Sequence, residues 1–462
     1  MQTVHKAVIA VLIGLSFAGG LGLRSHTDQK LSRQASIHFQ AEAESAPGPR
    51  VASTELGPGN VDLQPVQDLY VVLTRVREYY VEQVTPEIEG NMTYDAVRTM
   101  LASLKDPNTR FIEPDEMKVI NDARKGKFHG VDAMLGIRSA TNGGITEEQL
   151  VIVSPVTGGA ASEAKLLPGD VIAAVDGKIV LPFDPFQRAN KLIKNSRTSG
   201  TPRSELRKTL ESEQKRIDTG LSIPEAEKSL TTEDNKTVEL MLRRKGNPQP
   251  IKVKVALKEV AVDPVTSKSP DENGDGYIKI NCLCADTQDK VGAVIAELKN
   301  SRAKELTLDL RELSGGETTA ALDVAKYFAP GKVFGYLAES HGRRSTLTIP
   351  AIDADAKWTG PLVVLIDGGT ARTAEVLASA LKDGAGAKLV GDNTYGDSAC
   401  SSLFGLGDGS AYVMTTGKFL TSKGVDFTGK GIAADAHAQR GRSGGEGLKE
   451  ATRAPVVGRN GS

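Results

Sequence analysis

The stretch LLPGDVIAAVDGKIV, Leu166–Val180, specifies its own arrangement of strands. Pro168 and Gly169 form a turn, since proline presets φ and glycine tolerates positive φ. Val171–Val175 is a short unbroken apolar run, as in a buried strand. Asp176-Gly177 is a pair favoured in two-residue hairpin turns. Residues 129 to about 258 hold further strand-like runs, Leu150–Val153 before this stretch and Thr237–Leu242 and Ile251–Leu257 after it, so a β-rich domain is expected there. Between about 196 and 234 the pattern is interrupted by a charged segment that includes SELRKTLESEQKRIDTG, with Leu206, Leu210 and Ile217 roughly on one helical face. A solvated surface helix is expected, with a partner-docking helix as the alternative.

On the N-terminal side, Val66, Leu69, Leu73, Val76 and Tyr80 recur at helical spacing and Tyr94–Leu104 carries a second amphipathic run, so 61–128 reads as a helical region. On the C-terminal side the order becomes strand, helix, strand, helix. Tyr277–Ile280, Leu306–Leu310 and Leu362–Ile366 are the strands, Lys290–Leu298 is a helix, and another helix starts near Ala371. This order implies an α/β domain over 259–440 with at least partly parallel pairing. The fold class expected is therefore multidomain α/β, consistent with a length of 462 residues at roughly 100 to 200 per domain.

The first residues read as an export signal: His5 and Lys6 precede an apolar run from Ala7 to Leu23. A cleaved peptide and a retained membrane anchor both fit, because a span needs about 20 apolar residues. Residues 24–60, rich in Ser, Gly, Pro and Ala, are expected to be a disordered linker, and 441–462 a disordered tail. The protein is thus expected in an extracytoplasmic space such as the periplasm. With 57 basic and 58 acidic residues there is no electrostatic footprint for nucleic acid.

Cys282 and Cys284 alternate on an expected strand, which suits buried small side chains better than a bridge, and with Cys400 the odd count excludes a closed disulfide framework. Asp271, Asn273, Asp275 and Gly276 copy the opening of a calcium loop, but Cys282 stands where the closing glutamate belongs, so a turn into a strand is expected. No metal or cofactor is expected.

LLPGDVIAAVDGKIV resembles the corresponding segment of PDZ domains. In chain order, LKDPNTRFIEP (Leu104–Pro114), KFHGVDAMLGI, LDLRELSGGE (Leu308–Glu317), GGTARTAEVLASAL, VGDNTYGD and GKGIAADA resemble the carboxyl-terminal processing, or tail-specific, serine peptidases from roughly Leu63 to Ala438. The resemblance implies a helical N-terminal region, a PDZ-like domain at 129–258 and a crotonase/ClpP-like α/β core.

In that family a lysine acts as general base, which requires burial to depress its pKa. The family's serine lies three residues before a glutamate at the start of a helix; the matching run here is Thr370, Ala371, Arg372, Thr373, Ala374, Glu375. Arg372 stands at the nucleophile position and cannot attack a carbonyl. The family's lysine closes a Thr-Phe-Gly-Lys string with a glutamine four residues on. Here the string is Thr394, Tyr395, Gly396, Asp397, and Ser401 takes the glutamine's place. Asp397 follows Arg372 by 25 positions, the family's own separation. An Arg372–Asp397 salt bridge plugging the old cleft is expected. Gly315, Gly316 and Thr373 match positions at or near the family's oxyanion hole, although a tight strand-to-helix turn would require the two glycines equally. In the carboxylate-binding loop of the PDZ-like domain this chain has Gly130, Val131, Asp132 and Ala133. Asp132 would repel a peptide's terminal carboxylate if it faced the pocket and would be harmless if it faced solvent.

The expected function is that of a noncatalytic protein- or peptide-binding scaffold or regulator, with an active peptidase relative among its possible partners. One alternative is an endopeptidase with a relocated site, drawing on Ser398, Cys400, Ser401 or Thr373 and on His129, His341 or His437. Another is crotonase-type chemistry on thioesters, because the family's α/β core is similar to that of such enzymes, although no acid pair or cofactor loop supports it.

Overall fold

The computed structural model describes residues 64–142, 145–182, 184–199, 202–231 and 236–437. The expected signal, linker and tail lie outside these residues. The chain divides into two compact units, Met1–Val81 and Glu82–Ser462. In the first, α1 (Gln64–Tyr79) follows the helical spacing of Val66, Leu69, Leu73 and Val76, and none of its residues is fully buried.

The second unit opens with α2 (Pro86–Ala102). Thr85 caps it, its Oγ1 accepting from Ile88 N, and Pro86 occupies the first turn, where no N–H is needed. After β1 (Arg110–Ile112), α3 (Pro114–Ala123) is closed by a capping box in which Glu116 accepts from Glu113 N at 2.9 Å. The short strand β2 (Lys127–Phe128) then leads into the β-rich region.

That region begins with a long hairpin, β3 (Ala133–Asn142) and β4 (Ile145–Pro155), followed by a short helix α4 (Ala160–Glu163). β5 (Val171–Val175) and β6 (Lys178–Leu181) come from the stretch quoted first. Asp176 (φ 49°) and Gly177 (φ 77°) make its turn, as the Asp-Gly pair implied. Asp170 is buried and held by Arg244 through two 2.7 Å bonds. Then come α5 (Gln187–Ser199), α6 (Arg203–Thr219), β7 (Leu221–Ser222), α7 (Ile223–Thr231), β8 (Thr237–Arg243) and β9 (Ile251–Ala256). The strands form one sheet in which β5 also pairs with β8, and β8 with β9.

The interruption differs from its expected bounds of about 196–234. It starts earlier, at Gln187, and its solvated part ends at Thr219. Helix α7 is instead part of the fold, since Ile223, Ala226 and Leu230 are buried in one cluster with Leu150, Ile152 and Leu240. Three apolar residues at helical spacing suffice to bury one face, although the outward charges make the segment look solvated.

β10 (Val260–Ala261) returns antiparallel along β2, so the chain enters and leaves the β-rich region through one two-stranded ribbon. β11 (Val265–Lys268) and β12 (Asp275–Ile280) follow, joined by a turn in which Asp271 accepts from Asn273 N and Asp275 N, the role expected of the calcium-loop look-alike. Next are α8 (Thr287–Asn300), β13 (Glu305–Asp309), α9 (Thr318–Ala325), β14 (Val333–Glu339), β15 (Arg344–Thr348), β16 (Leu362–Ile366), α10 (Thr373–Ala385), β17 (Lys388–Gly391), β18 (Ala399–Gly405) and β19 (Ala411–Leu420). β12, β13, β16 and β17 are mutually parallel neighbours, with β11 antiparallel at the edge. Every residue of β16 is buried, as befits a parallel strand covered on both faces. A second, antiparallel sheet of β1, β19, β14 and β15, with β18 on β19, was not anticipated from the sequence.

Cys282 and Cys284 also depart from expectation: their sulfurs form a disulfide. β12 ends at Ile280, so the two residues sit in an irregular connection rather than on a strand. Both are buried, as expected, and their Cα atoms are 5.6 Å apart. Cys400 is free.

Candidate functional site

The site is built where β16 gives way to α10. Asp367 Oδ1 accepts from Gly369 N (2.9 Å), Thr370 N (3.0 Å) and Glu312 N (3.0 Å), which folds the turn tightly and ties it to the end of β13. Ala371 N donates to Leu313 O (3.0 Å) and Gly315 N to Ala371 O (3.2 Å), lacing the Gly315-Gly316 turn alongside. The chain then bends through Arg372 at φ 57°, ψ −120°, a conformation that costs a non-glycine residue about 1–3 kcal/mol. This elbow projects one side chain beyond the strand end, as nucleophile elbows do.

Here the projected group is a guanidinium. Arg372 Nε donates to Asp397 Oδ2 at 2.8 Å, so the expected salt bridge is present. Arg372 Nη2 donates to Asn108 Oδ1 at 2.7 Å, tying in the loop before β1. The Arg372 and Asp397 side chains are only 29% and 20% exposed. Two further hydrogen bonds fix the pair, from Arg372 N to Glu375 Oε2 (2.9 Å) and from Ala399 N to Asp397 Oδ1 (3.0 Å).

Glu375 organises both positions and was given no role from the sequence. Fully buried in the first turn of α10, its carboxylate accepts from Thr394 Oγ1 (2.5 Å), Gly396 N (2.7 Å) and Asp397 N (2.9 Å), besides Arg372 N. Burial pushes its pKa up to about 7, against the opposing pull of those donors. The capping-box spacing from Arg372 to Glu375 was the available signal. Gly396 (φ 91°) is required, because a Cβ there would lie 2.8 Å from Gly431 N.

The other expected residues fare differently. Ser401 is exposed on β18, opposite Thr415. Gly315 is not an open oxyanion donor, because its N–H is committed to Ala371 O. The steric reading of both glycines holds: they sit at φ 73° and 87°, and a Cβ on Gly316 would meet Leu283. Thr373 is buried, and its hydroxyl donates to Gly316 O (3.3 Å).

The Gly130–Ala133 loop is folded onto its own domain. Val131 N donates to Leu230 O (2.7 Å), and a Cβ on Gly130 would lie 2.1 Å from that oxygen. Asp132 faces neither pocket nor solvent. It is 1% exposed, at φ 50°, and its Oδ2 accepts from Ala160 N (2.9 Å) at the start of α4. Ala133 begins β3.

Candidate replacement nucleophiles are poorly placed for attack. Ser398 is buried and bonded to Thr428 Oγ1 (2.5 Å), and burial pushes the Cys400 thiol up to about 11. His129 lies on Asp122 (3.1 Å), His341 on Ser340 (3.2 Å) and His437 on Gly391 O (3.1 Å).

The β-rich sheet lies directly over this cleft. Val151 and Val153 of β4 pack with Ala371, joined by Met134 and Tyr395, and Arg138 stacks on the Tyr395 ring at 5.4 Å. Met134 Cε lies 2.9 Å from where a Gly315 Cβ would be, and Ser154 Oγ donates to Glu312 O.

The chain that carries this elbow is similar to known proteins. Residues 275–438 match the model of Peptidase family S41. The chain is 30% identical over 350 residues to the chloroplastic carboxyl-terminal-processing peptidase 2 of Arabidopsis thaliana, covering 74% of this chain and 60% of that protein. It is 29% identical over 364 residues to the carboxyl-terminal-processing protease of Synechocystis, covering 78% and 74%. The solved photosystem II D1 C-terminal processing protease superposes with a TM-score of 0.57 at 26% identity, covering 80% of this chain and 92% of that one.

This chain is a homologue of the carboxyl-terminal processing peptidases. The homologue spans less than two thirds of its Arabidopsis relative's length. Among its described residues no helix is long and apolar enough to cross a membrane, and no cluster of three metal-ligating side chains occurs.

Proposed function

We propose that this homologue does not cleave peptides and acts as an exported protein- or peptide-binding scaffold or regulator. The observation that supports this reading most is the Arg372–Asp397 ion pair at the elbow, with Nε and Oδ2 2.8 Å apart. Acyl transfer needs a group that can lose a proton and attack, beside a base that can take that proton. A guanidinium supplies neither function. The Asp397 carboxylate beside it is already engaged, accepting from that guanidinium and from Ala399 N. The β-rich region at 129–258 is proposed to be PDZ-like, and Asp132, turned into the protein, does not oppose a peptide's carboxylate there.

The test is the triple substitution R372S, D397K and S401Q, assayed with the wild type against an unfolded protein substrate. Cleavage by the triple variant and none by the wild type is the expected result. Wild-type cleavage that survives Arg372→Ala would overturn the reading. An inert wild type toward fluorophosphonate and thiol-directed probes would remove the alternative of a relocated site.

A further inference from the structure

Outside its buried stripe α7 carries Glu227 and Lys228, and both reach out of the β-rich region to the helical segment that precedes it. Lys228 Nζ lies 2.5 Å from Glu113 Oε2 and 3.2 Å from Asp115 Oδ2. Glu227 Oε1 lies 3.4 Å from Arg110 Nη2, whose other nitrogen is 3.2 Å from Glu116 Oε1. Arg98 closes the group by pairing with Glu113 and, at 2.8 Å, with Asp95. These eight side chains come from α2, β1, the start of α3 and α7. Three of the carboxylates are largely shielded, Glu113 at 22%, Glu116 at 13% and Glu227 at 17% exposure, whereas Asp115 is 54% exposed.

We infer that this network is a salt-sensitive latch that holds the β-rich region down over the Arg372 cleft. Besides this network, the region meets the rest of its unit through the β2–β10 ribbon, the apolar contact of Val151 and Val153 with Ala371, the Ser154–Glu312 hydrogen bond and Arg138 on the Tyr395 ring. Paired two-residue strands make a short connection, suited to bending. Apolar contact does not weaken as salt rises, whereas ion pairs between partly solvated groups do, over a Debye length of about 10 Å at 0.1 M. The latch sits on α7, whose other face is built into the core of the β-rich region, so releasing it frees that region as a body. Opening would uncover the cleft face of β3 and β4 together with the Gly315-Gly316 turn. The inference is independent of whether the chain cleaves peptides.

The test is hydrogen exchange on the full chain at about 20 mM and about 500 mM salt, two conditions that differ several-fold in screening length. Amides at 133–136 and 311–316 are followed as reporters of the cleft. Exchange there is expected to rise about two- to five-fold at high salt, the range that weak ion pairs support. K228Q and R110Q should each raise it at low salt, and the double variant should lose the salt response. Amides within β13 and β16 report global unfolding and should not change. Salt-independent exchange at 311–316, or variants that loosen only α7 and leave 311–316 unaltered, would overturn the latch.

Discussion

Arg372 bears two opposing contributions: a strained backbone at φ 57° and a side chain that joins Asp397 and Asn108. Arg372→Ala keeps the strain and takes the guanidinium from Asp397, which is four-fifths shielded while the pair is intact. Allowing for the solvent that still reaches the pair, the loss is expected to be about 1–2 kcal/mol in urea denaturation. Asp397→Asn in the Arg372→Ala background should recover part of it, because an uncompensated charge is removed. Equal stability of the single and double variants would mean that the uncompensated Asp397 charge is not what destabilises Arg372→Ala. Glu375 makes a pH prediction. Its folded pKa of about 7 lies above the ordinary 4.5, so the folded state holds the proton more tightly. The stability this confers is fully present below about pH 4.5 and is lost as pH rises through 7. Glu375→Gln should flatten that decline, measured by denaturation across the range. It should also cost about 1–3 kcal/mol, because an amide cannot accept from all four donors.

Among the elements, α6 and α7 are neighbours in sequence that follow opposite rules. Leu230 on α7 is fully buried beneath Gly130 and Leu240, whereas Leu206 on α6 is half-exposed on a charged helix. Leu230→Ala should cost about 2–5 kcal/mol and Leu206→Ala under about 1 kcal/mol, compared by urea denaturation. Both segments read as charged and solvated in the sequence. The difference lies in Ile223, Ala226 and Leu230, whose burial depends on β4 and β8 arriving from distant parts of the chain. The alternation along β4 is equally telling. Leu150 and Ile152 face the core of the β-rich region, while Val151 and Val153 face Ala371. A strand was legible from Leu150–Val153, but its burial on both faces and what covered the second were not.

For the molecule as a whole, that second face joins the β-rich region to the α/β region. Val153→Ser should weaken the junction without disturbing the core on the opposite side of the strand. Limited proteolysis is expected to cut faster within 311–316 while the β-rich region keeps its protection. Cleavage inside the β-rich region first would place Val153 in that region's own stability instead.

Local information was enough for the turn at Asp176-Gly177 and for the alternating strands and helices from Tyr277 onward, because turn chemistry and periodicity depend little on the rest of the chain. The Arg372–Asp397 pair, 25 residues apart, was expected only through the resemblance that matched both positions to one site. Other features were decided by residues far away. Asn108 meets Arg372 across 264 positions, Asp132 turns inward to cap α4 instead of facing pocket or solvent, Gly315 gives its amide to Ala371, and two cysteines meet where a strand has ended. A polar group's partner is whichever donor or acceptor packing brings within about 3 Å, and packing is a property of the assembled chain.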